Sequence, residues 1–565
     1  MMDLREWRSG GVVGMLLVCG VVGHASGQVT PTVLPPVYPE GAAIPRSMTE
    51  AERAWVRQHP ITAPTIRSAT APVGPVRCVA EYEPMESIVM AWEGSSTWNT
   101  IQRQMIERIT TIGDADVWIS VDTTSERTTV QNNLASSSAN LARVKYVVRT
   151  TDTIWLRDYG PRYIYEGDVR AIVDHTYNRP RPNDNAFNAY YGATSRRHKV
   201  YTLPLVHGGG NYHLDANDNG HATRLINNEN PSLTESQIKA LWQQYQNLDT
   251  TLYTPLPASV DSTQHIDMWM QIIADDKIII SDWPAQPGTA QDIVCDNAAA
   301  AFAANGWTVY RTPARTVSGT HYTYTNVVMC NDLVLIPTYT QPTIVGAGYN
   351  AQALAAWQTA LPGKTIVQIN CQDLVTSAGV MHCIVMHVPA HRGGGGGVNP
   401  TAYVQSPNGG ETLTPGQSVE INWISDDDLL PVLADIALST DGGATFPISI
   451  INGTMDDGAH TWVVPDLFTT SAKIRVTVRD GSGNTGADVS DATFTILGTP
   501  PACPADYNGD GGADVLDFLD FLDDFSACDG QTAPCGNAGN ADVNGDGAVD
   551  ILDFLDFVDA FSQGC

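Results

Sequence analysis

Between residues 77 and 391 short apolar runs alternate with amphipathic stretches. Residues 87–92, 199–205, 277–280, 333–337 and 365–369 are apolar, short and rich in Val, Ile and Leu, and they read as strands. The stretch 232–245 has helical spacing: Ile238, Leu241, Trp242 and Tyr245 share a face, and Ser232 or Thr234 can cap it. Alternating strands and helices over such a length imply an α/β domain. Before it, residues 28–76 are rich in Pro, Ala and Thr and read as an extended lead-in with one short helix over 49–59. After it stand five consecutive glycines, 393–397, whose conformational freedom predicts a linker over 392–400. From 401 to 498 the helical period is lost. Short strands at 418–423, 433–438, 472–478 and 491–496 are separated by Asn408-Gly409-Gly410, Asp441-Gly442-Gly443 and Asp480-Gly481, which predicts a β-sandwich.

The last segment, 500–565, is an internal repeat. Asp506, Asn508, Asp510, Asp514 and Asp517 recur as Asp542, Asn544, Asp546, Asp550 and Asp553, with glycine after the third member of each set. Oxygen side chains at loop positions 1, 3, 5, 9 and 12 are the donor set of a hard cation, and the glycine permits the turn that presents them. Phe518, Leu519, Phe521 and Leu522 follow one loop, and Phe554, Leu555, Phe557 and Val558 the other, so each loop feeds an amphipathic helix. Position 12 is Asp where an EF-hand has Glu.

Charge and cysteines sharpen this partition. The formal charge of the 565-residue chain is -30, which argues against nucleic acid as a partner. Residues 501–565 hold fourteen Asp and no Lys or Arg, so about half of that charge lies in the tail. The N-terminus reads as a signal peptide over 1–27. Arg5 and Arg8 flank an apolar run at 11–23, and Ala25-Ser26-Gly27 offers small residues for cleavage. An uncleaved anchor is the alternative; no other segment is long and apolar enough to span a bilayer. The expected location is therefore secreted, cell-surface or periplasmic. Export makes Cys503, Cys528, Cys535 and Cys565 candidates for two disulfides, in any of three pairings. Cys78, Cys295, Cys330, Cys371 and Cys383 are odd in number, which leaves at least one thiol free.

The candidate chemistry lies in the α/β region. Cys383 supplies a soft nucleophile, His265 a proton donor, and Asp158 and Asp267 two carboxylates for a planar cation. Trp155, three residues before Asp158, can lie flat against that cation. Together these suit attack on a guanidinium carbon with loss of ammonia. Taken singly each has an ordinary explanation: Asp158 beside Arg157 as a surface ion pair, His265 as a structural histidine, Cys383 as an inert buried thiol, Gly208–Gly210 as a tight turn.

Six segments change that balance. Glu81-Tyr82-Glu83-Pro84-Met85-Glu86, Trp155-Leu156-Arg157-Asp158-Tyr159-Gly160-Pro161, Gly209-Gly210-Asn211, His265-Ile266-Asp267, Thr325-Asn326 before Leu335-Ile336-Pro337, and His382-Cys383 resemble, in order, the bacterial peptidylarginine deiminase and agmatine deiminase family. The resemblance implies an α/β propeller, the pentein fold with five-fold pseudosymmetry, for residues 77–391, and no cofactor for catalysis. It implies Cys383 as nucleophile forming a thiouronium intermediate, His265 as acid then base, Asp158 and Asp267 as guanidinium ligands, and Asn326 as a residue that contacts substrate or orients the nucleophile. Arg179 and Arg181, in Tyr177-Asn178-Arg179-Pro180-Arg181-Pro182, resemble the segment with which secreted members hold the carboxylate of a C-terminal arginine. Two arginines on a Pro-spaced strand suit that task physically, whereas agmatine has no carboxylate to offer. The expected substrate is thus C-terminal peptidyl-arginine. Agmatine, giving N-carbamoylputrescine, is the alternative, and an inert calcium-dependent adhesion or scaffold protein is a third possibility. Pro407-Asn408-Gly409-Gly410-Glu411 with Trp423 resembles immunoglobulin-like accessory domains of secreted bacterial enzymes. The acidic repeat resembles a dockerin, which implies structural calcium and a cohesin-like or cell-surface partner.

Overall fold

A computed structural model describes residues 34–39, 41–66, 70–427, 431–499, 503–533 and 541–563. The signal-peptide reading over 1–27 falls outside them. Five sheets in the first part repeat one plan, an antiparallel strand pair followed by a helical crossover to a parallel strand. In the first, Met386–Pro389 pairs antiparallel with Met85–Ala91, which runs parallel to Asp116–Val121, itself parallel to Val144–Val148. The second joins Arg162–Glu166, Val169–Tyr177 and Val200–His207, with Val76–Cys78 added at its edge. The third joins His213–Leu214, Asn219–Thr223 and Asp249–Tyr253. The fourth joins Met270–Ala274, Lys277–Asp282 and Thr308–Pro313. The fifth joins Val328–Cys330, Leu333–Thr338 and Thr365–Asn370. Because the last strand pairs within the first sheet, the ring is closed by hydrogen bonds.

Middle strands such as Lys277–Asp282 and Leu333–Thr338 are buried on both faces, which is why they read as continuous apolar runs rather than alternating ones. Crossover helices lie over them. Glu235–Gln246 starts at a capping box between Thr234 and Gln237 and buries Ile238, Leu241, Trp242 and Tyr245.

The expected linker is not extended. Gly394–Gly397 closes into one helical turn, with Gly395 and Gly397 at φ +67° and +89°. Glycine takes that left-handed region without steric cost. A Cβ on Gly393 would come within 1.8 Å of the Asn399 carbonyl oxygen, so that position is held by close approach. Two further sheets, over 401–497, share one core built from Val404, Trp423, Leu438, Ile474 and Phe494. They seat directly on the ring. Asp426 receives Arg170 Nε at 2.6 Å and faces His198 Nε2 at 2.8 Å, all three buried. Burial pushes the Asp426 carboxyl up, but Arg170 and His198 hold it well below its usual range.

In the tail, helices Val515–Cys528 and Ile551–Gln563 pack through Phe521 and Phe557, stacked at 3.9 Å. Cys503 and Cys528 each take part in a disulfide. Cys535 and Cys565 fall outside the described residues. The five cysteines of the ring are all free and buried.

Candidate active site

Short turns immediately precede the first strand of all five repeats. Leu156–Tyr159 precedes Arg162–Glu166, Gly209–Asn211 precedes His213–Leu214, and Ile266–Met268 precedes Met270–Ala274. Residues 325–327 precede Val328–Cys330, and His382–Ile384 precedes Met386–Pro389. Each turn sends one group to a common buried point. Asp158 Oδ1 accepts the Gly210 amide at 3.2 Å and lies 3.4 Å from His265 Nδ1. Asn326 Nδ2 reaches the Cys383 sulfur at 3.1 Å, and that sulfur lies 3.7 Å from Asp267 Oδ2. The separate turns thus bring together Asp158, His265, Asp267, Asn326 and Cys383, all fully buried.

The point is filled by Arg46, from the lead-in segment. Its Nε and Nη2 donate to the two oxygens of Asp158 at 2.9 and 2.8 Å. Its Nη1 and Nη2 reach the two oxygens of Asp267 at 3.2 and 3.0 Å. Nη2 also lies 2.7 Å from His265 Nδ1, and Nη1 lies 2.6 Å from Cys383 Sγ. Each guanidinium nitrogen is held, as a delocalised cation between two bidentate carboxylates allows. Burial alone would raise both carboxyls. The Arg46 guanidinium is the chief opposing influence, and it holds Asp158 well below, and Asp267 below, the usual carboxylate range. Burial pushes the Cys383 thiol well above its ordinary value, with the guanidinium opposing and the two aspartates adding to the rise. Gly210 makes room for this arrangement: a Cβ there would sit 1.9 Å from Arg46 Nη2.

The backbone of the segment is gripped as well. Arg179 Nε donates to the Arg46 carbonyl at 3.2 Å. Arg181 Nη2 donates to the Pro45 carbonyl at 2.8 Å, while Arg181 Nε and Nη2 bind the Glu52 carboxylate at 2.7 and 3.2 Å. Both arginines are buried, so the segment is no solvated basic loop. They lie on the bend after Val169–Tyr177 rather than on a strand, because Pro180 and Pro182 end the pairing. Glu52 is placed by the helix Glu50–Val56, capped by Thr49, within the 49–59 stretch expected to be helical.

Trp155 differs from expectation. Among the described residues no cation lies over its ring. Its indole N–H donates to the Ile44 carbonyl at 2.8 Å, and the ring packs edge-on against Trp98. The carboxylates already take the guanidinium edge-on, and the tryptophan instead fixes the chain two residues before it.

Three residues went unassigned in the sequence reading. His382 places Nδ1 2.9 Å from Asp267 Oδ2 and Nε2 3.0 Å from Glu81 Oε1. Glu81 is also held by Arg157 Nη1 at 2.6 Å. This chain orients Asp267 from behind. His382 and Glu81 were inside quoted motifs, but only their positions in three dimensions reveal the link. Arg46 carried no motif at all.

In the tail, Asp506, Asp510 and Asp517 bring carboxylate oxygens within 4.8 Å of one another. Asp514 and Asp550 cap their helices by accepting the Leu516 and Leu552 amides at 2.7 and 2.8 Å, rather than joining such a cluster. The two loops share a common framework: Asn508 and Asn544 amides donate to Asp517 and Asp553 at 3.0 and 3.1 Å, but among the described residues only in the second does the fifth-position amide, Asp546, also donate to the first-position carboxylate, Asp542, at 3.1 Å.

Residues 77–389, more than half of the chain, match the family described as Porphyromonas-type peptidyl-arginine deiminase. Curated relatives include an agmatine deiminase of Ectopseudomonas mendocina, 23% identical across 44% of this chain and 78% of that protein. Another, from Pseudomonas aeruginosa, is 21% identical across 56% of this chain and 96% of its own. A solved agmatine deiminase of Enterococcus faecalis is 18% identical, with a TM-score of 0.48 over 56% of this chain and 96% of that one.

Proposed function

Because this chain belongs to the Porphyromonas-type peptidyl-arginine deiminase family, and is thereby a hydrolase of guanidine C–N bonds, we propose that it converts peptidyl-arginine, by preference a C-terminal one, to citrulline and ammonia. The observation that carries this reading is the hold on Arg46: guanidinium between Asp158 and Asp267, main-chain carbonyl on Arg179. The site reads both ends of an arginine residue. Agmatine would fill the first half and leave empty the place where Arg179 meets a main-chain carbonyl, so part of the site's hydrogen-bonding capacity would go unused.

The chemistry follows from the contacts. A thiol buried beside two carboxylates resists ionisation until a guanidinium arrives, so the substrate supplies the countercharge that makes the Cys383 thiolate. Sγ attacks Cζ while the carboxylates hold the plane, and Asn326 orients the sulfur. His265 Nδ1, which accepts from Arg46 Nη2 at 2.7 Å in the resting contact, takes the proton released by the Cys383 thiol and gives it to the departing nitrogen as ammonia leaves. Water then takes the vacated place, His265 removes its proton, attack on Cζ breaks the Sγ–Cζ bond, and the ureido group of citrulline remains.

A C-terminal carboxylate fits the second half of the site because Glu52 already stands in for one. Its two oxygens sit on Arg181, beside the carbonyl-binding Arg179. Citrulline formation from peptides ending in arginine, against internal arginine and agmatine, tests the assignment. Faster turnover of agmatine would replace it with the small-substrate reading that the curated relatives favour.

The remaining modules suit an exported enzyme: a signal peptide over 1–27, an immunoglobulin-like sandwich over 401–498 and a dockerin-like tail that binds calcium and docks to a cohesin-like or cell-surface partner. Among the described residues no helix is long and apolar enough to cross a membrane. Calcium fits the first loop on its donor chemistry. Asp506 Oδ1 is buried with no hydrogen-bond partner, next to Asp510 and Asp517. Asp506, Asn508, Asp510 and Asp517 would hold that ion, and Asp542, Asn544, Asp546 and Asp553 a second.

A further inference from the structure

Arg46 is the strongest unexplained feature of the molecule. It is fully buried, 112 residues from Asp158 and 337 from Cys383 along the chain, yet it makes the contacts a substrate must make. It is not an incidental basic residue pressed against an acidic surface. The carbonyl before it, its own amide and its own carbonyl are all received by dedicated groups: Arg181 on Pro45, the Ser377 carbonyl on the Arg46 amide, and Arg179 on the Arg46 carbonyl. Trp155 holds Ile44, and Glu52 occupies the bidentate face of Arg181. The segment fills both halves of the site at once, so an outside substrate has neither pocket available while it stays.

We propose that Arg46 is a substrate of this chain's own site: Cys383 deiminates it in cis, and the citrulline formed there unlocks the pocket for external substrates. The inference rests on the deiminase reading above. The contacts already have the roles the step needs. Cys383 Sγ accepts from Nη1 at 2.6 Å and His265 Nδ1 accepts from Nη2 at 2.7 Å, so sulfur and imidazole stand at different nitrogens of one guanidinium, and the sulfur has only to move from that edge to the face of Cζ. The Cys383 thiol gives its proton to His265, the Sγ–Cζ bond forms and the Cζ–Nη2 bond breaks. Nη2 leaves as ammonia with the proton from His265, and one water then supplies the oxygen of the ureido group and returns a proton to His265. Sγ departs as thiolate, and no oxidant or reductant is consumed.

The product loses the grip that held the substrate. A ureido group is neutral, so Asp158 and Asp267 would face it as buried carboxylates with no cation, an arrangement that is costly in a dry site. The remaining ties, Trp155 to Ile44 and Arg181 to Glu52, then compete with an incoming arginine that brings both a cation and a carboxylate. The segment therefore acts as a latch that its own enzyme opens once.

Peptide mass spectrometry of residue 46, followed from freshly refolded chain alongside turnover of an added peptide ending in arginine, tests this. In the wild type we expect residue 46 to become citrulline at a rate independent of protein concentration, and added-peptide turnover to begin with a matching lag. Cys383→Ser should keep arginine at 46. Arg46→Ala should turn over the added peptide without a lag. Arg46→Lys, whose ammonium has no carbon to deiminate and stays between the carboxylates, should be slower than Arg46→Ala by about tenfold or more. A wild type that turns over added peptide while residue 46 remains arginine overturns the proposal and leaves the deiminase reading standing. So does conversion whose rate grows with protein concentration, since it occurs between molecules. No turnover by Arg46→Ala, with arginine retained at 46 in the wild type, overturns the deiminase reading itself.

Discussion

Two of the places where the molecule gathers aspartates around a cation position do so in opposite ways. In the ring, Asp158 and Asp267 come from turns 109 residues apart and are fully buried. In the tail, Asp506, Asp510 and Asp517 come from one twelve-residue loop, and Asp510 is exposed. The first pair faces a flat cation across two edges and has a sulfur and an imidazole beside it. The second set surrounds a point with oxygens alone. Sequence-distant carboxylates need a whole fold to meet, and the fold then also decides what else stands near them. Adjacent carboxylates need only a turn, and the turn offers nothing but oxygen. One arrangement can do covalent chemistry on a planar group; the other can hold a spherical ion.

The sharpest test of that contrast is the sulfur. Cys383→Ser should lower citrulline formation by about 10⁴-fold or more, because a hydroxyl at that buried position will not ionise near neutral pH. Calcium binding by the tail should be untouched. The pH profile carries the same information. Burial raises the Cys383 thiol, so its thiolate fraction increases with pH, and kcat/KM for an external arginine peptide should climb through the mildly alkaline range. Asp158 and Asp267 have depressed values. Their contribution to holding a cation is therefore complete above the ordinary carboxylate pKa of about 4 and is lost only as pH falls below that. A profile falling steadily from pH 6 to 9 would remove the thiol from the mechanism.

Next come the carboxylates of the ring. Asp158→Asn or Asp267→Asn removes one charge from a buried cation site, a loss of about 3 kcal/mol or more. That corresponds to a fall of at least about 100-fold in kcat/KM for arginine peptides. Asp506→Asn in the tail should leave the same number unchanged. Equal effects from both substitutions would mean the two acidic sites are not independent.

A smaller effect separates the two halves of the ring site. Arg179→Ala or Arg181→Ala leaves the guanidinium pocket in place and removes the group on the carbonyl or the carboxylate. Each lost charge-assisted bond is worth about 1.5–3 kcal/mol. Arg181→Ala should lower the preference for C-terminal over internal arginine by about tenfold to 100-fold, mostly through KM, whereas Arg179→Ala, which loses a carbonyl both substrates carry, should raise KM for both alike. An unchanged ratio in Arg181→Ala, with an unchanged KM in Arg179→Ala, would reassign both arginines to holding the lead-in segment alone.

How far the chain announced this site depends on the range of the contact. The quoted motifs Trp155–Pro161, Gly209–Asn211, His265–Asp267, Thr325-Asn326 and His382-Cys383 proved to be the same structural event repeated, a turn before the first strand of a sheet. Five-fold repetition was thus present in the motifs, although strand lengths and helix spacing conceal it, since the crossovers range from one helix to several. The tail repeat was plain because its spacing is local. Arg46 was invisible because nothing in Ile44-Pro45-Arg46-Ser47 distinguishes it from other basic residues. Only the fold brings residue 46 beside residue 383. The shape of the glycine run was hidden for a related reason: composition reports freedom, whereas Gly393 is held by close approach and Gly395 takes left-handed backbone.

The smallest effect on catalysis should come from the tail, and for that reason it tests modularity most directly. Its two helices meet through Phe521 and Phe557, while Leu516, Leu519, Leu552 and Leu555 remain exposed. So small a core offers little resistance to repulsion among fourteen aspartates when no cation is present. Burial works against the charge on Asp517, yet the Asp514 and Asn508 amides hold its carboxyl below the usual range, so it stays ionised at neutral pH and ready for a hard cation. Calcium added to metal-free full-length chain should bind at two sites by calorimetry and slow amide exchange in 503–563. Asp506→Asn should remove one of those sites. Removing 500–565 should change deimination by no more than about twofold, because among the described residues none of the contacts to Arg46, Asp158 or Cys383 involves the tail. A flat calorimetric trace would reject the calcium site, and deimination lost on truncation would show that the two aspartate clusters serve a single site after all.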